Sequence, residues 1–246
     1  MFRTVVDPCC RNLSLNRYGA YMAQGAQRDR RFTVPLMTAQ AAGVHLGIPG
    51  STIKEWIAQG SGQPVMHSVA PPAPHGPRLP FIALAEAQIL RELRKTGLPM
   101  RHIRAGVARL RHETGEEYVL ATHTIATDGG ELLYNAASRV APEWVRAKDG
   151  QQALRQVVEA VIKFVSYAED GFAARIRLKP YEAAEVIIDP RFGFGQPVFA
   201  DSKVPIETIA DLFYGGGESV EDIADEYGIG TAEVETVLRV MARRAA

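Results

Sequence analysis

The chain has 246 residues, of which 46% are hydrophobic and 23% are charged, and its 28 basic and 28 acidic side chains leave no net charge. This composition is typical of a globular protein with a substantial core and excludes a disordered chain. The sequence contains no apolar run of about 18 residues and no secretory signal, so we expect a cytoplasmic protein without a membrane span.

The zero net charge conceals two halves of opposite charge. Residues 1–120 carry 15 basic and 8 acidic side chains, a net charge of +7, whereas residues 121–246 carry 13 basic and 20 acidic side chains, a net charge of −7. Segregated positive charge suits a polyanion, and the acidic half would repel it. The first half is therefore the candidate for nucleic-acid binding.

Residues 1–35 show no sustained apolar periodicity, and we interpret them as an arm. They contain the two cysteines of the chain, Cys9 and Cys10. Adjacent cysteines form neither a CxxC zinc half-site nor a plausible disulfide with each other. We therefore interpret both cysteines as bystanders.

Residues 38–56 have the pattern of two short helices joined by a turn. Thr38 is a predicted N-cap, and Ala42 and Leu46 share one face of the first helix. The segment Gly47-Ile48-Pro49 then interrupts the helical pattern. This spacing predicts a helix-turn-helix.

The second helix of this pair is predicted to begin at Ser51 or Thr52. Ile53 and Trp56 fall on its inner face, where we expect them to be core residues. A recognition helix presents its N-terminal side chains to DNA. Ser51, Thr52 and Lys54 are therefore candidate DNA-binding residues.

A proline-rich segment follows, with six prolines between residues 60 and 80. Short apolar runs, Val65–Val69 and Leu79–Ile82, flank these prolines. Proline forbids a helix there but allows edge strands. The pattern predicts a β-hairpin over residues 62–82.

Two further helices are predicted, one over residues 84–97 and one that begins after Pro99. Arg101, Arg104 and Arg111 on the second of them are spaced to form one basic stripe. An ordinary solvated helix surface would have the same pattern. If the stripe binds DNA, it suits phosphate contacts better than base reading.

Residues 36–111 resemble a MerR-type winged helix. The resemblance rests on the helix-turn-helix at 38–56, on the predicted hairpin at 62–82, and on residues 98–104, which are similar to the start of a later helix in that family. The hairpin stands where the family has its wing. The resemblance implies a winged-helix DNA-binding domain at residues 36–115.

Residues 116–180 are interpreted as a central region. Asp128-Gly129-Gly130 within Thr122–Asn135 is typical of a β-hairpin turn. The broad apolar stripe of residues 150–168 predicts a helix that links the two halves, and a strand is expected at Phe172–Leu178.

The last part of the chain predicts three short helices. They are expected at Ile206–Tyr214, Ser219–Tyr227 and Thr231–Arg243, and glycines separate them. The last two could be taken for a second helix-turn-helix. However, residues 205–238 contain nine acidic and no basic side chains, so this surface should repel DNA. We interpret it as a packing or dimerisation module.

Residues 188–238 resemble the helical domain of unknown function 433, which is found in bacterial antitoxins and their relatives. The resemblance implies a C-terminal antitoxin-type helical domain at residues 181–246. The matching residues agree in order and spacing, and they are Asp189-Pro190, Gly195-Gln196-Pro197-Val198, Val204-Pro205, Ile209, Gly217-Glu218-Ser219, Ile223-Ala224, Tyr227-Gly228-Ile229, Val234 and Leu238.

The two resemblances together make the chain similar to a VapB-type antitoxin of a type II toxin–antitoxin pair. They imply operator DNA and a PIN-like ribonuclease toxin as partners. Such nucleases gather carboxylates around a divalent metal, and an inserted guanidinium can occupy the electrostatic place of that metal. Arg239, Arg243 and Arg244 are candidate toxin-binding residues, with complementation of the helix dipole as the alternative.

Signals for catalysis are poor. Gly193-Phe194-Gly195 lacks the glycine spacing of a dinucleotide fingerprint, and the sequence has no phosphate-binding loop. The six histidines are not spaced as the ligands of a metal site. The acidic residues of Asp222–Glu226 lack the alternating ligand positions of an EF-hand loop. We expect no enzymatic activity, no metal and no cofactor.

The sequence as a whole predicts a mainly α fold with small β-hairpins, an α+β protein. We expect a homodimeric antitoxin that represses its own operator, because one helix-turn-helix buries little DNA surface and two-fold proteins read paired half-sites. A free-standing MerR-like transcriptional regulator and a protein-interaction scaffold are the alternatives.

Overall fold

The structure is a computed structural model that describes residues 29–58, 63–147 and 149–242. Helices predominate in these parts of the chain, and a small antiparallel sheet lies in the second half. The predicted mainly α fold with a small β component is confirmed. Cys9 and Cys10 lie outside the described residues.

Five helices lie in the first half of the chain: α1 (Arg30–Thr33), α2 (Ala39–Leu46), α3 (Gly50–Ile57), α4 (Phe81–Lys95) and α5 (Met100–Thr114). The N-cap of α3, of α4 and of α5 is a proline, whose fixed φ and missing N–H are tolerated at a helix start. α4 has the most buried surface, with nearly every residue from Phe81 to Leu93 inside the core. α1 and α2 pack against it.

The hairpin predicted over residues 62–82 is wrong for the part that the structure describes. Residues 63–80 contain no strand, and Leu79 instead forms an isolated antiparallel bridge with Met37. Ile82 lies in α4 and is fully buried. The prolines remove backbone N–H donors that a second strand would need for a ladder.

The hairpin predicted at Thr122–Asn135 is also wrong, because this segment is helical. Gly129 begins a helix in close packing, since a Cβ there would lie 3.1 Å from Val158 Cγ2 and 3.2 Å from Ile125 Cγ2. A larger side chain would require these neighbours to shift, so this glycine belongs to a helix contact and not to a hairpin turn. The central helices are α6 (His123–Thr127), α7 (Gly129–Val140), α8 (Pro142–Ala147) and α9 (Gly150–Ile162).

α9 ends at Ile162, before the predicted end of the linking helix at residue 168, because the chain then enters a sheet. Val165 pairs with Ile176, and Ile176 pairs with Ile188 on its other side. The expected strand at Phe172–Leu178 is confirmed at residues 173–177. The four strands are antiparallel in chain order: β1 (Val165–Tyr167), β2 (Ala173–Arg177), β3 (Val186–Ile188) and β4 (Val198–Phe199).

Three helices close the described chain, as predicted: α10 (Ile206–Asp211), α11 (Val220–Tyr227) and α12 (Thr231–Ala242). α10 continues into a π-helical turn at Leu212–Gly216, and Ser219 caps α11 by accepting the Asp222 backbone N–H at 3.1 Å. Gly217 follows the π-helical turn and Gly228 follows α11, and both glycines have a positive φ.

A single cluster of buried hydrophobic side chains runs from Phe32 in α1 to Met241 in α12. Within this cluster, Tyr181 contacts both α2 and α12. The Tyr181 hydroxyl lies 2.8 Å from Nδ1 of His45 in α2 and 3.7 Å from Sδ of Met241, and all three side chains are buried. Pro180 lies beside Gly47, so the helix-turn-helix packs directly on the C-terminal part of the chain.

Candidate nucleic-acid interface

The predicted helix-turn-helix forms from α2 and α3, and its turn is very tightly closed. The Thr38 hydroxyl accepts the Ala41 N–H at 3.1 Å, as predicted, and Gly47 ends α2 in the left-handed region at φ 66°. Ile48 N donates to Gly43 O at 2.9 Å. A Cβ on Gly43 would lie only 2.5 Å from Ile48 O, so glycine is required where the two helices meet.

α3 begins at Gly50, slightly earlier than predicted, and Pro49 rather than Ser51 or Thr52 stands at its N-cap. Ile53 and Trp56 are buried, as expected for core residues. Ser51 and Lys54 are exposed and Thr52 is half-buried. The structure therefore places all three predicted DNA-binding residues of α3 in its first turns, with two of them open to solvent.

The three arginines predicted as a basic stripe on α5 have different surroundings. Arg101 is exposed. Arg104 NH2 donates to the carbonyl of Glu55 near the end of α3 at 2.6 Å. Arg111 NH1 donates to Pro64 O at 2.7 Å, and its Nε donates to Glu117 O at 2.8 Å. Arg104 and Arg111 are thus tied to the backbone around α3, and Arg101 is the most accessible member.

A histidine–carboxylate cluster occupies the place of the predicted wing. His67 Nδ1 lies 2.7 Å from the buried Glu86 carboxylate, and His67 Nε2 lies 3.2 Å from Glu117. The His67 ring also packs on Tyr118, and Arg111 lies 3.5 Å from Glu86. Burial lowers the pKa of His67, but the charge and hydrogen bond of Glu86 outweigh it and raise this pKa above 6.5. The cluster fastens the proline-rich segment to α4 and α5.

The second helix-turn-helix, formed by α11 and α12, has an acidic surface. Glu221, Asp222, Asp225 and Glu226 on α11 are exposed. A weak ion pair at 4.0 Å joins Glu235 to Arg239 on α12. Arg239 is the one basic residue from 219 to 242, so this unit has little of the positive charge that phosphate binding requires.

Arg239, a candidate toxin-binding residue, is 66% exposed near the end of α12. Arg243 and Arg244 lie outside the described residues. Val240 and Met241, which follow Arg239, are buried in the core. The exposed side of α12 at this point therefore presents one arginine.

The loop between β3 and β4 contains two residues that the sequence analysis did not assign to a site, Arg191 and Phe194. Asp189 is fully buried and accepts hydrogen bonds from Arg191 N, Nε and Nη2 at 3.0, 3.0 and 2.7 Å. Burial raises the pKa of Asp189, but the arginine hydrogen bonds outweigh it and lower this pKa. Phe194 at the tip of the loop is 90% exposed. Gly193-Phe194-Gly195 was weighed only against a dinucleotide fingerprint, whereas an apolar residue between two glycines is also the signal of an exposed loop tip.

Arg91, one of the basic residues on the predicted helices, donates from Nη1 to Leu46 O at 2.6 Å and so holds the end of α2. Among the described residues, no helix has the length and apolarity needed to cross a bilayer, and no group of three or more potential metal ligands comes together. The candidate nucleic-acid interface consists of exposed polar and basic side chains on and beside the helix-turn-helix.

Comparison with protein families yields two matches. Residues 35–107 match the family described as "Putative DNA-binding HTH domain", and residues 186–239 match "Protein of unknown function (DUF433)". The first match confirms the helix-turn-helix predicted near the start of the chain. The second confirms the resemblance predicted for its C-terminal residues.

Two Mycobacterium tuberculosis proteins are similar to most of this chain. "Putative antitoxin VapB45" is 32% identical over 241 residues, which cover 90% of this chain and 100% of that protein. "Uncharacterized protein Rv2308" is 28% identical over 204 residues, 78% of this chain and 84% of that protein. The crystal structure of Rv2018 from the same organism superposes with a TM-score of 0.72 at 31% identity, and it covers 85% of this chain and 99% of Rv2018.

Proposed function

Because the chain belongs to the family of the M. tuberculosis protein named VapB45, we propose that it is an antitoxin that binds its own operator DNA and neutralises a PIN-like ribonuclease toxin. The proposed protein is a cytoplasmic homodimer and an autorepressor without catalytic activity. The match to a named antitoxin is the observation that carries this proposal, since it covers 90% of this chain and the whole length of that protein.

The proposed operator contact is made by the helix-turn-helix of residues 39–57. Ser51, Thr52 and Lys54 contact bases or phosphates from the start of α3. Arg101 contacts phosphate from α5, whereas Arg104 and Arg111 add positive charge while they hold the backbone around α3. The net charge of +7 in the first half of the chain favours this side of the molecule for DNA.

The proposed toxin contact lies on the C-terminal helices. A PIN-like nuclease has a carboxylate-rich metal site, and the exposed guanidinium of Arg239 has the charge and the donor geometry to pair with such carboxylates. Arg243 and Arg244 follow in the sequence and complete the proposed basic end. The acidic face of α11 is the alternative contact if the arginines prove dispensable.

Co-expression with the product of the adjacent reading frame tests the proposal. We expect a stable complex in which ribonuclease activity is suppressed, and we expect the complex or the free protein to protect DNA upstream of its own coding sequence. DNA protection without a co-purifying nuclease would instead identify a free-standing transcriptional regulator. Absence of both would leave an interaction scaffold and refute the proposal.

The homodimer is tested separately by light scattering at micromolar concentration, with and without the protected DNA. Two-fold symmetric proteins place two recognition helices about one helical turn of DNA apart. We therefore expect a dimer mass and paired half-sites. A monomer under both conditions would contradict this part of the proposal.

A further inference from the structure

The most exposed large apolar side chain of the described residues belongs to a strained and firmly braced loop. Phe194 is 90% exposed, and its backbone lies in the left-handed region at φ 53° and ψ 26°. That conformation is uncommon for a residue with a Cβ and costs free energy. Neither the exposure nor the strain contributes to the stability of the fold.

The residues on either side of Phe194 fix its position. A Cβ on Gly193 would lie 2.6 Å from Val198 Cγ1, and a Cβ on Gly195 would lie 2.9 Å from Leu36 Cδ1, so both glycines are pressed against neighbours. Gln196 N donates to Gly193 O at 2.9 Å. The loop therefore holds one phenylalanine out into solvent with little freedom of its own.

The surface beside this loop has a small excess of positive charge. Arg191 is 67% exposed beyond its contacts with buried Asp189, and its guanidinium lies 5.6 Å from the centre of the Phe192 ring. Lys203 approaches the same ring at 5.2 Å. A cleft of about 370 Å³ next to Arg191 is lined by three basic side chains, including the exposed Arg30, and by the carboxylates of Asp29 and Asp189. The excess of one positive charge suits a phosphate-bearing partner better than the acidic face of α11 does.

The loop lies next to the start of the helix-turn-helix. Gln196 Nε2 donates to Leu36 O at 3.1 Å, and Leu36 precedes the N-cap of α2 by two residues. In helix-turn-helix complexes the first helix crosses the DNA backbone. The loop thus adjoins the first helix of the proposed operator-binding unit.

We propose that the loop Asp189–Gln196 is a second DNA-contacting element, in which Phe194 packs on a sugar or base edge that flanks the helix-turn-helix site. Arg191 and Arg30 contact backbone phosphates on either side of it. Apolar side chains that enter the minor groove in this way occur in several DNA-binding proteins. The inference rests on the proposed function, since it assumes that the helix-turn-helix binds operator DNA.

Fluorescence anisotropy with two duplexes tests the inference. One contains the protected site with its flanks, and the other is trimmed to the part that the helix-turn-helix protects. We expect Phe194→Ala to weaken binding of the long duplex about five- to tenfold and to leave the trimmed duplex unaffected. Phe194→Leu should retain most of the affinity, and Arg30→Ala should lower the salt slope by about one unit.

Tyr214→Ala is the matched control, because Tyr214 is 57% exposed but lies among acidic residues. It should leave both duplexes unaffected. Phe194→Gly removes the ring and relieves the positive φ, so weaker binding by a variant at least as stable as the wild type cannot come from misfolding.

Equal affinity of Phe194→Ala and the wild type for the long duplex would overturn the inference. Impaired toxin neutralisation with unchanged DNA affinity would also overturn it and identify Phe194 as a protein contact. The proposed function has its own test in Lys54→Ala. If that variant is impaired and Phe194→Ala is not, only the inference fails, and if the wild type binds no DNA, both fail.

Discussion

The two helix-turn-helix units of this chain have matching backbones and opposite surfaces. Thr38 and Ser219 each cap the first helix by accepting an N–H three residues later at 3.1 Å. Gly47 and Gly228 each end that helix in the left-handed region, at φ 66° and 61°. Yet α3 presents Lys54 and hydroxyl side chains, whereas its counterpart α12 presents Glu235 and has no basic residue in its first two turns, and the preceding helix α11 adds exposed carboxylates.

This difference shows that the residues that form a helix-turn-helix are not the residues that make it bind DNA. The caps and the turn glycines allow two short helices to pack with their backbone groups satisfied. Affinity for DNA depends on the side chains left outside, above all on positive charge. The same unit can therefore serve as a DNA reader at one end of a chain and as a packing module at the other.

The largest expected effect concerns the tightness of the two turns. Gly43 and Ala224 occupy equivalent positions, since Ile48 N and Ile229 N donate to their carbonyls at 2.9 and 3.0 Å. Gly43→Ala should lower the free energy of unfolding by about 3 kcal/mol, because its Cβ would collide with Ile48 O. Ala224→Gly, the reverse change in the second unit, should cost about 1.5 kcal/mol, through backbone entropy and the loss of one buried methyl group.

Urea denaturation with both variants measures these two values. Equal costs would show that the first turn is no tighter than the second, and the proposed distinction between them would have to be withdrawn.

The next effect concerns the charge on the two units. Lys54→Ala combined with Arg101→Ala should weaken operator binding about tenfold, equal to about 1.4 kcal/mol. The slope of log affinity against log salt should fall by about one unit for each phosphate that the variant no longer neutralises. Glu221→Gln with Asp225→Asn is the control in the second unit, and it should leave the slope unchanged. A salt titration in which the basic double variant keeps the wild-type slope would refute the assignment.

A smaller effect is the pH dependence of the free energy of unfolding. It arises from His67, beside the first helix-turn-helix, and the described part of the acidic unit contains no histidine. Its pKa is raised in the folded state, so the folded state binds the proton more tightly than the unfolded chain does. The stabilisation is complete below about pH 6.5 and disappears as pH rises through the folded pKa. The free energy of unfolding should therefore fall by about 1 kcal/mol per pH unit within that window.

His67→Gln should remove this dependence, and His112→Gln, a change at an exposed site on α5, should preserve it. The measurement is a series of urea titrations on either side of pH 6.5. Stability that is independent of pH in the wild type would contradict the assigned role of Glu86 as the partner of a protonated histidine.

The smallest expected effect on stability is at Arg239. Arg239→Ala should change the free energy of unfolding by less than about 0.5 kcal/mol, since its pair with Glu235 is exposed and long. The same variant should release part of the ribonuclease activity of a co-expressed toxin. Arg155→Ala is the control, because Arg155 forms the same kind of exposed pair with Glu159 at 3.2 Å. Full inhibition by Arg239→Ala would exclude this residue as a toxin contact.

Truncation after Leu238 would not replace this experiment. It would delete Val240 and Met241, which are buried, and Met241 contacts the Tyr181 hydroxyl. Such a deletion would remove core volume together with the basic end of the chain.

Caps, glycines and apolar spacing were enough to predict both helix-turn-helix units. Each of these signals acts within a few residues, so tertiary contacts did not override them. Thr38 and Gly47 have the predicted roles, and the helix expected at Ser219–Tyr227 begins one residue later because Ser219 is its N-cap. The prediction of Ser51 or Thr52 as the start of α3 erred slightly because Pro49 is tolerated at the N-cap.

Both predicted hairpins failed because distant contacts decided those segments. Gly129 resembled a turn residue, but it lies in a helix that packs closely on Val158. Likewise, the apolar residue Leu79 pairs with Met37 rather than within a hairpin. The bonds of Arg111 to Pro64 and Glu117 could not be read from helical spacing, since the spacing gives only the face on which an arginine lies.

The Tyr181 contact with His45 and Met241 has a consequence for how genes of this kind can be rearranged. A recombination event that transplanted residues 35–107 or 186–239 alone would separate those residues from Tyr181, which lies between the two segments and contacts both ends of the chain. Each transplanted piece would also expose the apolar surface that now joins it to the rest of the cluster. Inheritance of the two segments as one unit, with the connecting stretch between them, follows from this shared core.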